Sequence, residues 1–281
     1  TIATGGTQIT FTTAPASGAS IFITEISGAV GAPMNRDING DELILDADAD
    51  TSITADTDDQ IDIKIGGNDD FKLTAKTLSI GGAAAADSKI VFDGNAQDFH
   101  IGLDDSADDL VIGLGSTLGT TSHIVIDEAG CVTKPLQPAF LLEDDSDTSL
   151  AHNTEQTLSF DSELFDQNAD VTATTFTAPV TGRYYFTASC LIDIGTGAAT
   201  HVKNNYIRFL ASNRSAFVGY GAVYSDANDR FQLKGSCLMD MDANDTIYTQ
   251  VWFQRNSGTA VGTIVGSNPH LITHFSGYLV C

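Results

Sequence analysis

The sequence predicts an all-β protein whose first part is a trimeric strand-rich stalk. Three observations carry that expectation. Of the 37 acidic residues six are Glu and 31 are Asp, and Asp favours caps and turns where Glu favours helix. Glycine supplies 26 of the 281 residues, enough for many tight turns. Apolar and polar residues alternate in short runs along the first half, the period of half-buried strands.

Charge narrows the possibilities next. The formal net charge is −24, and a surface so acidic repels phosphate backbones and anionic lipid, so no nucleic-acid partner is expected. No run approaches ~18 consecutive apolar residues, so no membrane insertion by a helix is expected. The opening Thr1-Ile2-Ala3-Thr4-Gly5-Gly6 has no basic n-region and does not read as a signal peptide. It also lacks Met, so either an initiator was removed or the chain is part of a longer one. Cys131, Cys190, Cys237 and Cys281 are too widely spaced for a zinc knuckle or a redox pair. Cys190 and Cys237 lie in apolar runs and read as small buried thiols.

Three segments follow in order: residues 1–34, then an Asp-rich stalk over 35–134, and a head over 135–281 in which the aromatic content climbs. Residues 1–134 hold 22 acidic and 6 basic side chains, against 15 and 7 in 135–281. In the stalk, alternation marks Leu43/Leu45, Ile61/Ile63/Ile65, Phe71/Leu73/Ala75, Leu78/Ile80, Ile90/Phe92, Phe99/Ile101/Leu103, Leu110/Ile112/Leu114 and Ile124/Ile126. The Asp pairs 58–59, 69–70 and 108–109 precede strands and read as turns. Strands this short cannot enclose a core and leave their edges open. Three chains wound about one axis solve both problems; an ordinary monomeric β domain with acidic loops is the alternative. Lys134-Pro135-Leu136-Gln137-Pro138 reads as an extended connector.

No cofactor is expected. Asp46-x-Asp48-x-Asp50 begins like a calcium loop, but Thr51 and Thr57 stand where such a loop needs Gly and a bidentate Glu. Solvated turn chemistry is the reading, with a non-standard calcium site as the alternative. No His-Glu-x-x-His pair, nucleophile elbow or phosphate loop occurs, and no carboxylate pair stands out for glycoside cleavage. The chain reads as non-enzymatic.

In the second half, Phe176-Thr-Ala-Pro179-Val-Thr-Gly182-Arg-Tyr184-Tyr-Phe186 resembles a motif of the complement globular-head family, the jelly roll shared with tumour necrosis factor. Leu238-Met-Asp-Met-Asp-Ala-Asn244-Asp245-Thr-Ile-Tyr248 is similar to the turn before a late strand of that family, which usually has Gly where Asn244 stands; Asn tolerates positive φ. Phe275-Ser-Gly277-Tyr278-Leu-Val280 resembles its terminal strand. The resemblance implies a ten-strand jelly roll and a homotrimer with its N-termini gathered at one end. Unaided, Pro179 and Gly182 read as a turn, and Phe275, Tyr278 and Val280 as bulky groups on a final strand inside the sandwich.

Weaker resemblances lie upstream. Gly6 to Ile21 resembles adaptor regions of phage tail fibres. The run Asp41–Ile65 and the connector 132–138 resemble the stalks of marine phage fibres. Together these imply a tail fibre exposed on the virion surface. It would attach to other virion proteins through its N-terminal segment and to a host-surface glycan or protein through the head. A capsid head fibre or decoration protein, and a secreted bacterial adhesin or filament subunit, are the alternatives. Tyr220, Tyr224, Asn256 and Asn268, in Gly-rich turns, are the candidate host contacts; the two tyrosines could equally serve the core or a trimer interface. Trp252 is expected to be buried.

Overall fold

A computed structural model describes residues 11, 13–20, 41–195, 202–221, 230–267 and 270–281. The chain divides into two compact units, Thr1–Gly82 and Ala83–Cys281. Among the described residues no helix forms, and none is long and apolar enough to cross a membrane.

The first unit carries one antiparallel meander: β1 (Leu43–Ile44), β2 (Ser52–Thr54), β3 (Ile61–Ile65), β4 (Asn68–Leu73) and β5 (Leu78–Ile80). Consecutive Gly66 and Gly67 both take positive φ, which turns β3 into β4 with the right twist. Registers align Leu43, Ile53, Ile63, Phe71 and Ile80 in one row across all five strands. Ile61, Leu73 and Leu78 align in a second. The opposite face is polar and closed by its own bonds. Ser52 Oγ donates to Glu42 at 2.6 Å, Lys64 pairs with Glu42, and Gln60 Nε2 donates to Asp62 at 2.8 Å. Burial therefore runs opposite to hydropathy: Asp62 is 3% exposed and Leu78 56%.

The second unit begins with a like meander: β6 (Ser88–Phe92), β7 (Phe99–Asp104), β8 (Asp109–Leu114), β9 (Ser122–Ile126) and β10 (Val132–Thr133). Ile90, Ile101, Ile112 and Ile124 stand in register across four strands. Phe92, Phe99 and Leu114 form the row beside them, and Phe92 is 61% exposed. The other face is the closed one, with His100, Val111 and Leu118 buried. A Cβ on Gly113 would lie 2.7 Å from the His100 ring, so only glycine there admits the imidazole, whose Nδ1 sits 2.8 Å from the Gly115 carbonyl.

Two expectations are corrected here. Asp69 and Asp70 lie inside β4 rather than in a turn, because the Gly pair already makes it. The proline connector is a hydrogen-bonded turn, Gln137 N donating to Lys134 O at 3.0 Å. Side chains of the next segment hold it: Gln167 Nε2 donates to the carbonyls of Lys134, Pro135 and Gln137, and Asn168 Nδ2 to that of Leu136, each at 2.9 Å.

The head is a jelly-roll sandwich. One sheet contains β11 (Ala139–Glu143), β12 (Thr148–Leu150), β14 (Ser162–Asp166), β17 (Gly182–Asp193), β20 (Arg230–Met241), β22 (Gly262–Ile264) and β23 (His274–Leu279). The other contains β13 (Gln156–Thr157), β15 (Val171–Thr172), β16 (Thr175–Thr177), β18 (Val202–Ala211), β19 (Ser215–Tyr220) and β21 (Thr246–Arg255). Between them Phe140 lies 5.0 Å from both Phe176 and Phe275, and Phe186 lies 5.7 Å from Phe176. These rings are essentially fully buried, and such contacts add to the stabilisation from area alone.

Candidate functional site

The recognised motifs build the frame of the head. Tyr184 and Phe186 alternate into the core, and Tyr184 Oη donates to the Val180 carbonyl at 2.8 Å, locking the Pro179–Gly182 turn. Asn244 takes φ +74, the left-handed conformation that Asn tolerates. Beside it Asp245 accepts from Ser212 Oγ at 2.6 Å and from Asn213 Nδ2 and Asp242 N at 2.9 Å. The Ser212 bond contributes most to holding its carboxyl below the ordinary value. In β23 Phe275 faces the core whereas Tyr278 faces out, and Val280, just past the strand, is exposed as well, contrary to expectation. The period of two puts residues three and five apart on opposite faces. A Cβ on Gly277 would come within 2.4 Å of the Phe186 ring, so glycine is what lets that ring pack.

Of the candidate contacts, Tyr224 and Asn268 lie outside the described residues. Asn256 is exposed just after β21, on a loop whose carbonyls, at Ala260 and Val261, accept from Arg255. Tyr220 closes β19 at 70% exposure. It does not stand alone. Registers align Trp252 of β21, Tyr206 of β18 and Tyr220 of β19 in one row across the outward face. The adjacent row is Gln250, Arg208 and Phe217. Tyr206 stacks on Trp252 with ring centres 5.2 Å apart, and Phe217 meets it edge-on at 4.9 Å.

Polar groups are threaded through these rings. Arg208 Nη2 donates to Glu155 Oε2 and to Gln250 Oε1, both at 2.7 Å, and its guanidinium lies 5.5 Å from the Phe217 ring centre. Tyr206 Oη donates to Glu155 Oε1 at 2.5 Å; burial and then this carboxylate push the phenol up to about 12. Asn204 Nδ2 reaches Gln254 Oε1 at 3.5 Å in a third row. Trp252, expected in the core, is thus half-buried on this outer face, because even-numbered positions of β21 point away from the sandwich. Tyr206, Arg208, Phe217 and Gln250 were missed. Polar and aromatic residues on one side of the alternation in 204–208 and 250–254 were the available signal.

Two acidic clusters lie elsewhere. Carboxylate oxygens of Asp46, Asp48 and Asp50 fall within 4.8 Å of one another in the β1–β2 turn, which Leu45 N closes by donating to Thr51 O at 2.9 Å. At the end of β11, Asp144 is 3% exposed. Burial first, then the charge of Asp161, raises its carboxyl to about 6. Asp161 accepts from Asp145 N at 2.6 Å and from Ser146 Oγ, and the first of these chiefly lowers its own value. Cys190 is fully buried and its thiol is pushed up by that burial; Cys237 is only half-buried, less than expected.

No curated protein matches the chain. Among solved structures it is similar to the globular domain of zebrafish complement 1qA, at 15% identity and a TM-score of 0.35, covering 52% of this chain and 98% of that one. It is also similar to murine APRIL, at 12% identity and a TM-score of 0.36, covering 51% of this chain and 99% of that one. The C1q domain family matches residues 139–280, half of the sequence and the whole sandwich just described, and the chain accordingly belongs to the C1q domain family.

Proposed function

We propose that this chain is a non-enzymatic virion structural protein, a homotrimeric tail fibre whose C1q head contacts the host cell surface. The observation that carries the reading is the pair of open apolar faces on the two five-stranded meanders. Rows of Leu, Ile and Phe in cross-strand register face solvent there, while the polar side of the first sheet is sealed by its own bonds. Apolar faces of this extent mark association surfaces. Three copies about one axis would cover them and bring three heads together at one end. The likeness of residues 6–21 to adaptor segments supports attachment of the N-terminal segment to the virion; residues 1–10, 12 and 21–40 lie outside the described part. Recognition by outward side chains of the head, with no cofactor, fits a surface-binding role.

Immunogold labelling of phage particles that encode this chain tests the reading. Label at the tail is the expected outcome. Label over the capsid would replace the tail fibre with a head fibre or decoration protein. Particles without label, with the chain on the cell surface instead, would turn the reading to an adhesin and overturn it.

A further inference from the structure

The outward face of β18, β19 and β21 has a composition that neither a core nor a simple association surface needs. The open faces of the two meanders are aliphatic and phenylalanine rows. This face instead alternates aromatic rings with planar, hydrogen-bonding groups in adjacent register rows. It is also locally neutral in a chain of net charge −24, because Arg208 is paired with Glu155. Burying that pair against a second protein surface would cost desolvation that an aliphatic face avoids.

We propose that this face is a carbohydrate-binding site for a neutral glycan; the inference rests on the head being the host-contacting end. A pyranose has one face of C–H groups and a rim of hydroxyls that both donate and accept. The ring row supplies the first complement, with Tyr220 70% exposed and Phe217 47% exposed. Tyrosine and tryptophan give large rigid contact area while keeping a polar edge. Gln250, Gln254 and Asn204 supply the second, since each amide carries both donor and acceptor atoms, and Arg208 adds donors held in place by Glu155. A polyanion finds no unpaired cation on this pair of rows, and the net charge of the chain repels it.

Trp252 is the only tryptophan in the sequence, and it stacks in the row itself, so intrinsic fluorescence of the full chain reads the site directly. The probes are dextran, mannan, laminarin and galactan, with alginate as the anionic counterpart. A saturable change of Trp252 emission with at least one neutral polysaccharide and none with alginate is expected. Tyr220→Ala should weaken that binding about tenfold through loss of one stacking ring. Leu238→Ala, on an exposed position of the other sheet, should leave it unchanged.

No response to any neutral polysaccharide, an equal response to alginate, or wild-type binding by Tyr220→Ala would each overturn the proposal. A folded Tyr220→Ala protein of reduced molar mass would also overturn it, making the face a subunit interface. Gold label at the phage tail with no polysaccharide response leaves the fibre standing and removes the site. A polysaccharide response with no label on particles does the reverse.

Discussion

Single residues in the head are set by what a neighbouring ring or charge permits, and Asp144 shows how this reaches solution behaviour. Its ordinary value is 3.8 and the folded value about 6, so the folded head binds this proton more tightly than the unfolded chain. Stability from that proton is complete below pH 3.8 and is lost as the pH rises through 6. Asn keeps the neutral form at every pH. Asp144→Asn should therefore raise the melting temperature near pH ~7.5, by a stability increment of at most about 2–3 kcal/mol, and change it little near pH ~4. Scanning calorimetry at the two pH values checks this. An equal shift at both would assign the effect to packing, and no shift near neutrality would mean the carboxyl is ionised at no cost. Nothing in the sequence marked Asp144, since Asp144, Asp145 and Asp147 look alike until the fold buries one of them.

At the scale of elements, alternation made β3 to β9 legible. In β3, β4 and β7 bulky apolar residues on one face alternate with Asp, Lys, His or Gly on the other, β8 does so except at Val111, and β5 sets Ser79 between its apolar residues. β2 escaped because Ser52 and Thr54 flank one isoleucine, too little contrast to register. β10 escaped because two residues cannot show a period. The frame of the head was legible from its motifs, but the binding face was not. Trp252, Tyr206 and Tyr220 are far apart in sequence and meet only through register, which a linear reading does not fix. The same registers yield a test of the stalk. Ile112 sits in the four-isoleucine row and is 37% exposed in the single chain. A charge there should cost a lone chain within about 0.5 kcal/mol but would be buried unpaired between chains. Ile112→Asp should keep its β-type circular dichroism and lose self-association. Unchanged molar mass would mean that this row does not meet another copy.

For the whole molecule the proposed trimer sets apolar rows, which would draw chains together, against a net charge of −24 per chain, which would drive them apart. Charge repulsion acts through solvent and is screened beyond about 8–10 Å at physiological salt. Burial of contiguous apolar area is short-ranged, scales with contact, and is worth roughly 25 cal/mol per Å². In close contact the apolar rows should win, while the carboxylates keep assembled particles from aggregating edge to edge. Light scattering should then give three times 29.6 kDa at physiological salt. Because the rows need no ion, the same mass should persist with a calcium chelator. Dissociation on chelation would turn the Asp46, Asp48 and Asp50 turn from solvated loop into ligand set. A stable monomer at moderate salt would leave the exposed isoleucine rows without a partner and remove the ground for a fibre. Lowering the salt lengthens the screening distance, so a trimer held by apolar contact against like charge should weaken as salt is removed and strengthen as it is added. An assembly held by ion pairs between chains would show the opposite trend.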